Sequence, residues 1–259
     1  MKPDGHQMAI QRKRAILSYI AEKGLCTIDD ISDRFSVSRV TVHRVLTELQ
    51  NEHQVTKVRG GVEHNRANAL QVDFDKRLRQ CAEEKAQVAR KGFDLIAEES
   101  TIFLDASTTC LALAGEIAAR MKHRLSVVTN APMVVQQLCR LQHIKTIDTG
   151  GEVIVELNAL AGPITVDVLK RLNFDTAFFS IGAVSLENGL MTAHTALVDV
   201  LHSAMHSARR KILLVDSTKF ERVAPLTVAP VSDLSCIVTD SRLPDSTRQA
   251  LLAHGVDVR

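Results

Sequence analysis

Val37–Leu49, VSRVTVHRVLTEL, is the stretch on which the reading of the N-terminal region turns. Stepping round it at about 100° per residue groups Val42, Leu46 and Leu49 on one face with Val45 at its border. Val40, Thr41, Arg44 and Thr47 lie opposite, flanked by Arg39 and His43. Ser38 stands where an N-cap is needed. Just upstream, Thr27 is placed to cap a second helix, IDDISDRF. Its Asp29 and Asp30 fall in the first turn, where negative charge suits the positive helix end, and Ile28, Ile31 and Phe35 supply its buried side. Ser36-Val37 predicts a tight turn between the two. Further back, Gln7–Lys23 favours one apolar face through Met8, Ile16, Leu17 and Ile20 and stops at Gly24.

Downstream, VTKVRGGV reads as a strand, a Gly-Gly turn and a second strand. Helix, turn, helix with a polar outer face, followed by a hairpin, is the arrangement that lays a recognition helix in the major groove and a wing against the backbone. Ser38, Arg39, Thr41, His43 and Arg44 are therefore the expected contacts to double-stranded operator DNA, with Lys57 and Arg59 meeting phosphates or the minor groove. The competing reading is a small helical bundle whose basic residues are merely solvated. Cap, turn, polar face and wing occurring in order favour the first.

The totals bound the rest. The chain has 259 residues, 45% of them apolar, and a net charge of +2. Residues 1–62 hold ten Lys/Arg against seven Asp/Glu, so any nucleic-acid contact depends on placement rather than on a basic bulk. Five scattered cysteines without a CxxC pair disfavour a disulfide framework or a zinc module and fit a reducing, cytoplasmic setting. The N-terminus lacks an apolar signal core, and no run approaches the roughly 18–20 apolar residues that span a bilayer, so no membrane partner is expected. Trp is absent and Tyr19 is the lone tyrosine, which argues against stacking on single-stranded bases.

Residues 63–83 are polar and poorly periodic and read as a linker, with a short helix near Phe74–Leu78. From residue 84 to 259, helical segments alternate with short β-branched strands: TIFLD, LSVVTN, IKTIDTGG, TAFFSIG, KILLVD, SCIVTD and a final VDV, with a long helix expected over Thr195–Arg209. That rhythm implies an α/β domain with a mainly parallel sheet, whose ligands bind outside the carboxyl ends of the strands. The loops at those ends share a character. Ser107-Thr108-Thr109 opens a helix after Asp105, Thr129-Asn130 follows the next strand, Gly150-Gly151 the one after, and Ser217-Thr218-Lys219 adds a cation. Hydroxyls and free N–H groups at a helix start suit a phosphate or other anion.

Other chemistry is weighed against plainer roles. Asp105 and Asp216 are the attractive acid/base candidates for an isomerase-like enzyme fused to a DNA-binding domain, yet each is equally explained as the orienter of its own loop. His202 and His206 share a helix face but lack a third metal ligand at a supporting spacing. Cys110, near a helix start, is either a thiol of lowered pKa or a small buried residue. No cofactor and no catalysis are expected.

These residues resemble the DeoR family of bacterial transcriptional regulators. Ser38, Thr41, Val42, His43, Arg44 and Leu46 match the family's recognition helix, with Val45 where Asp is usual, and Arg59-Gly60-Gly61 matches its wing. The resemblance continues through Glu84-Lys85, Asp105, Ser107-Thr108-Thr109, Thr129-Asn130, Gly150-Gly151, Gly162-Pro163, Asp175, Ala177-Phe178, Gly182 and Asp216–Phe220. It implies a winged helix-turn-helix at 1–62 and, at 84–259, a ribose-5-phosphate isomerase/CoA-transferase-like sensor domain that binds a phosphorylated sugar or related metabolite. Asp105, Ser107, Thr108, Thr109, Thr129, Asn130, Gly150, Gly151, Gly182 and Lys219 are the effector-binding residues so implied, in a homodimer or homotetramer that acts as a repressor. Leu197 and Leu201 depart from the pattern, standing where the family usually carries an acid and a lysine.

Overall fold

Thr27 and Asp30 close a capping box. The Thr27 hydroxyl accepts the Asp30 N–H at 3.1 Å, and the Asp30 carboxylate accepts the Thr27 N–H at 2.8 Å. That box starts α2 (Ile28–Phe35), which follows α1 (Gly5–Lys23) and precedes α3 (Arg39–Asn51). α1 ends at Gly24, in the left-handed conformation, and α2 ends at a left-handed Ser36. Ser38 caps α3 by accepting the Thr41 N–H at 3.2 Å. The computed structural model describes residues 5–52, 54–64, 74–220 and 222–259. The Met8 side chain and the 65–73 part of the expected linker lie outside them.

Ile16, Ile20, Ile31, Val42, Val45, Leu46 and Leu49 pack into one core beneath α3, joined by Val55 and Val62 of the hairpin β1 (Val55–Val58) and β2 (Gly61–His64). The hairpin differs in detail from the expected Gly-Gly turn. Arg59 and Gly60 make the turn, whereas Gly61 belongs to β2 and pairs with Val58. The cause is a third strand-like contact: Cys26 and Val62 exchange two backbone hydrogen bonds, at 2.9 and 2.8 Å. A Cβ on Gly61 would sit 2.3 Å from the Cys26 carbonyl oxygen.

The chain divides into two compact units at Asp73/Phe74, inside the stretch expected to be a connector. The second unit opens with residues 74–79, helical and here α4, then α5 (Ala82–Phe93). Its centre is a seven-stranded, wholly parallel sheet in the order β14-β13-β11-β8-β3-β4-β5. These strands are β3 (Thr101–Leu104), β4 (Leu125–Thr129), β5 (Ile144–Asp148), β8 (Phe174–Phe179), β11 (Ala208–Leu214), β13 (Cys236–Val238) and β14 (Asp257–Val258).

Strand residues alternate between two cores. Ile102, Leu104, Phe178, Ile212 and Leu214 face α5, α6 (Thr108–Arg120) and α7 (Pro132–Leu138). Phe103, Ala177, Phe179 and Leu213 face α8 (Pro163–Lys170), α9 (Thr195–His206) and α10 (Asp245–Ala253). Burial on both faces explains why these strands read as continuous apolar runs. Two additions were not legible as strands: a hairpin of β6 (Glu152–Ile154) and β7 (Ala159–Ala161), and a small antiparallel sheet of β9 (Ala183–Ser185), β10 (Gly189–Thr192) and β12 (Leu226–Ala229). The helix expected to reach Arg209 stops at His206. Ala208 already pairs with Phe174, and its neighbours extend β11 backwards.

From β3 the chain winds outward through β4 to β5, then returns to β8 on the other side of β3 and winds away through β11, β13 and β14. The reversal falls between β3 and β8, and such a switch point leaves a crevice at the carboxyl ends of the strands.

Gly60→Ala, with no atom near the new Cβ, pays only for the left-handed backbone, roughly 1–2 kcal/mol. Gly61→Ala drives a methyl into a carbonyl and is expected to cost more. Tyr19, packed edge-on to Phe35 at 5.7 Å, is the lone tyrosine in a chain without Trp, so denaturant unfolding followed by its fluorescence reports the N-terminal unit. Equal costs for the two variants would contradict the account of the hairpin.

Candidate functional site

In the N-terminal unit, the outer face of α3 is open. Arg39, Val40, His43, Arg44 and Thr47 are exposed, Val40 to 79%, while Val42, Val45, Leu46 and Leu49 are buried. Lys57 and Arg59 are exposed on the hairpin. Two of the expected contacts are already engaged locally. Arg39 pairs with Asp29 at 2.5 Å, and the Thr41 hydroxyl shares a 2.9 Å hydrogen bond with Ser38. The Arg39–Asp29 pair is well exposed on both sides, so it contributes little to stability and can be exchanged for a phosphate at small cost.

In the second unit a cavity of about 360 Å³ opens at the switch point. Asp105, just past the end of β3, is fully buried and joins the two halves of the sheet. One carboxylate oxygen accepts the Ser107 N–H at 3.1 Å and the other accepts the Ser180 N–H at 3.2 Å. Burial pushes its carboxyl above the ordinary value of 3.8, against the lowering effect of these bonds. Ser107 then caps α6, accepting the Cys110 N–H at 3.1 Å, so the hydroxyls of Thr108 and Thr109 sit on the first turn at the positive end of the helix.

Of the residues expected to form the site, Asp105, Ser107, Thr108, Thr109, Asn130, Gly182 and Lys219 line this cavity together. Thr129, Gly150 and Gly151 do not. The Thr129 hydroxyl donates to the Leu104 carbonyl at 2.7 Å and accepts the Ala131 N–H, which ties β4 to β3. Gly150 and Gly151 form a left-handed bend closed by Thr165, whose hydroxyl donates to the Gly150 carbonyl at 2.6 Å; a Cβ on Gly151 would collide with that hydroxyl. The absence of a side chain at Gly151 makes room for Thr165.

The cavity also recruits residues that the sequence left in the linker or passed over. Arg77 of α4 lines it, its guanidinium donating to the Glu156 carbonyl at 2.6 Å. Lys85 of α5 is buried, and its ammonium donates to the carbonyls of Arg77 and Gln80. Burial lowers the pKa of Lys85 and of Lys219, while the nearby Asp216 carboxylate favours their charged forms. Asp216 accepts a hydrogen bond from the Thr218 hydroxyl within its own loop. Arg222 completes the cationic side, whereas His194, which also lines the cavity, is held towards its neutral form by desolvation and the nearby Arg77. No sequence pattern marked Arg77, because α4 reaches the cavity through tertiary packing; Lys85 was visible only in the family motif.

The remaining candidates resolve into structural roles. Cys110 is buried, its thiol 3.4 Å from the Phe178 carbonyl, and burial pushes it well above the ordinary thiol value, opposite to an activated cysteine. The His202 ring hydrogen-bonds the Val228 carbonyl.

The chain matches the DeoR C-terminal sensor domain over residues 80–241 and the DeoR-like helix-turn-helix domain over residues 12–68. It belongs to the DeoR family of transcriptional regulators. The uncharacterized HTH-type transcriptional regulator YgbI of Escherichia coli is 31% identical over 96% of each chain. The glycerol-3-phosphate regulon repressor of the same organism is 27% identical over 96% of this chain and 97% of its own. Among solved structures, a ribose 5-phosphate isomerase A from Methanocaldococcus jannaschii aligns with a TM-score of 0.41 and 14% identity, over 54% of this chain and 55% of that one. This DeoR-family regulator therefore pairs a DNA-binding unit with a sensor unit whose cavity lies at the sheet's switch point.

Asp105 fixes that cavity, and its removal has a defined cost. Asp105→Ala leaves the buried Ser180 N–H without an acceptor and frees the half-buried Ser107 N–H to the cavity, and is expected to destabilise the regulator by about 1–3 kcal/mol, chiefly through Ser180. Because the native carboxyl titrates above its unfolded value, its contribution is fully present below the unfolded value and is lost as pH rises through the native one. Asp105→Asn, which cannot ionise, should flatten that slope in thermal unfolding measured across pH. A slope identical to that of the wild type would refute the assignment.

Proposed function

We propose that this regulator is a repressor whose operator affinity is set by a phosphorylated sugar or polyol. Residues 1–62 read DNA, the chain between them and Phe74 connects, and the sensor expected over 84–259 begins at Phe74, with α4 as part of it. Ser38, Arg39, Thr41, His43 and Arg44 contact the operator in the major groove, and Lys57 and Arg59 meet its backbone or minor groove. The effector's phosphate binds at the α6 N-terminus through Ser107, Thr108 and Thr109, with Lys219, Lys85 and Arg77 supplying positive charge. The observation that carries this reading is the cavity itself: it gathers four Lys/Arg side chains against two carboxylates, and those carboxylates are engaged by Ser107 and Ser180 and by Thr218.

The regulator reading is supported over an isomerase by relatives matched along almost the whole chain and named as regulators. Asp105 and Asp216 each keep lone pairs beyond the hydrogen bonds they accept, so turnover is the outcome to be tested against it. The glycerol-3-phosphate regulon repressor, aligned end to end with this chain, supports repression. An L-fucose operon activator of Haemophilus influenzae, 27% identical over 95% of this chain and 97% of its own, makes activation the reading to be tested against it.

In the mechanism we favour, the chain works as a dimer or tetramer. Effector binding draws the loops at the strand ends together and alters the spacing of two recognition helices, whose half-sites lie about 34 Å apart or a multiple of that distance. A coupling of about 1–3 kcal/mol changes operator affinity by roughly 5- to 150-fold.

Footprinting at the gene's own promoter tests the DNA face: Arg44→Ala should abolish specific protection with thermal unfolding unchanged, and retained protection would remove α3 from the role. A thermal-shift screen of sugar phosphates should yield a hit that weakens in Thr108→Ala and lifts repression of a promoter fusion. Transcription from that fusion that falls, rather than rises, when the protein is removed would identify an activator. Turnover of that hit, lost in Asp105→Asn, would restore the enzyme reading.

A further inference from the structure

The cavity has two unlike walls, because the sheet's two faces are covered by different helices. On one side, α5 and α6 pack with Ile102, Leu104 and Phe178 and present Lys85 and the Ser107–Thr109 turn. On the other, α9 packs with Phe103 and Phe179, and its contribution to the cavity is Leu197, Val200 and Leu201. The polar side chains of α9 do not line it: Asp199 is exposed, and the His202 ring bonds the Val228 carbonyl. Thr192 and His194, ahead of the helix, line the cavity too, but the Thr192 hydroxyl already accepts the His194 N–H at 3.2 Å.

Asn130 lies at the end of β4 and is 1% exposed. Its amide donates to the Leu160 carbonyl at 2.8 Å, which leaves its Oδ1 buried with no hydrogen-bond partner among the described residues. A buried acceptor without a donor is costly, and this one belongs to a side chain that lines the cavity.

We infer that the effector is a phosphomonoester with a hydroxyl-poor carbon skeleton: one hydroxyl donates to Asn130 Oδ1, and a methylene or methyl-bearing side lies against Leu197, Val200 and Leu201. This rests on the phosphate site proposed above. A hydroxyl turned to the α9 wall loses its water and finds no acceptor there, while a methylene at the same place gains apolar contact. A site with a buried acceptor rejects a ligand that lacks the matching hydroxyl more firmly than an apolar wall rejects an added one, so a bare alkyl phosphate is disfavoured more strongly than a fully hydroxylated sugar phosphate.

Calorimetric titration of the full-length protein tests the assignment with two matched pairs: 2-deoxyribose 5-phosphate against ribose 5-phosphate, and 3-hydroxypropyl phosphate against glycerol 3-phosphate. In at least one pair the deoxy member should bind about tenfold tighter, equivalent to about 1.4 kcal/mol. Leu197→Gln, at a half-buried position, should abolish or invert that ratio, and Leu197→Met should retain it. Equal or tighter binding of the polyhydroxy member in both pairs overturns the inference, as does a ratio indifferent to Leu197→Gln in a protein that melts normally. Inorganic phosphate serves as the control on the underlying site. If it neither binds nor competes, the phosphate site falls and this inference with it; if it competes while the deoxy preference is missing, only the inference falls.

Discussion

A single buried carboxylate holds the sensor unit's two half-sheets in register where a ligand can enter. β3 and β8 are neighbours in the sheet but lie far apart in the chain, and at their carboxyl ends the backbone must diverge in opposite directions to wind each half. Asp105 spans that divergence, accepting the N–H of Ser107 on one side and of Ser180 on the other. Without it, the buried Ser180 amide would lose its acceptor, and the half-buried Ser107 amide would turn to the cavity. Its burial carries a cost, visible in the raised pKa, and the bonds it makes offset part of it. The geometry that follows is a helix start aimed into the crevice, with hydroxyls on its first turn and cations brought in from α4, α5 and the loop after β11.

The DNA-binding unit is stabilised by other means. Its helices are short, and the ends are fixed by local chemistry: the Thr27–Asp30 box, the left-handed Ser36, and Ser38 over Thr41. Ion pairs at its surface, such as Lys13 with Glu52 and Glu48 or Arg39 with Asp29, lie in solvent and contribute little. The mild basic excess of residues 1–62 limits what phosphate neutralisation alone can supply to affinity. In the proposed mechanism, two copies of α3 held at a fixed separation supply the affinity that one copy lacks, and small movements of the sensor unit suffice to change it.

Much of this was legible in the chain. Caps, turns and the 3.6-residue period located α1 to α3, because those signals act over a few residues, and runs of apolar β-branched residues located the central strands, because both faces of a parallel sheet are buried. The α6 N-terminus and Lys219 were legible for the same local reason. What failed was non-local. The Gly-Gly turn was misplaced by one residue because Gly61 answers to the Cys26 carbonyl, 35 positions away. Gly150-Gly151 resembled a ligand loop until Thr165 was seen to occupy the space a side chain would need. β11 extended into what read as helix because its partner, β8, was already in place. Arg77 looked like linker because nothing within ten residues of it signals a cavity.

Lys85 joins these threads. It sits in the first turn of α5 and lines the cavity, yet its ammonium is bonded to the carbonyls of Arg77 and Gln80 at the end of α4. Those are the carbonyls a helix terminus leaves without an internal partner, and the left-handed Cys81 that follows turns the chain so that one ammonium can reach both. A cation of the proposed phosphate site is therefore already a structural part of α4. The more its charge is drawn into the cavity, the less it holds the helix end. The Asp216 carboxylate, which favours the charged lysine, and Lys219, which opposes it, lie within range of the same group. α4 begins at the first residue of the sensor unit, so a single buried ammonium ties the cavity to the helix with which that unit opens.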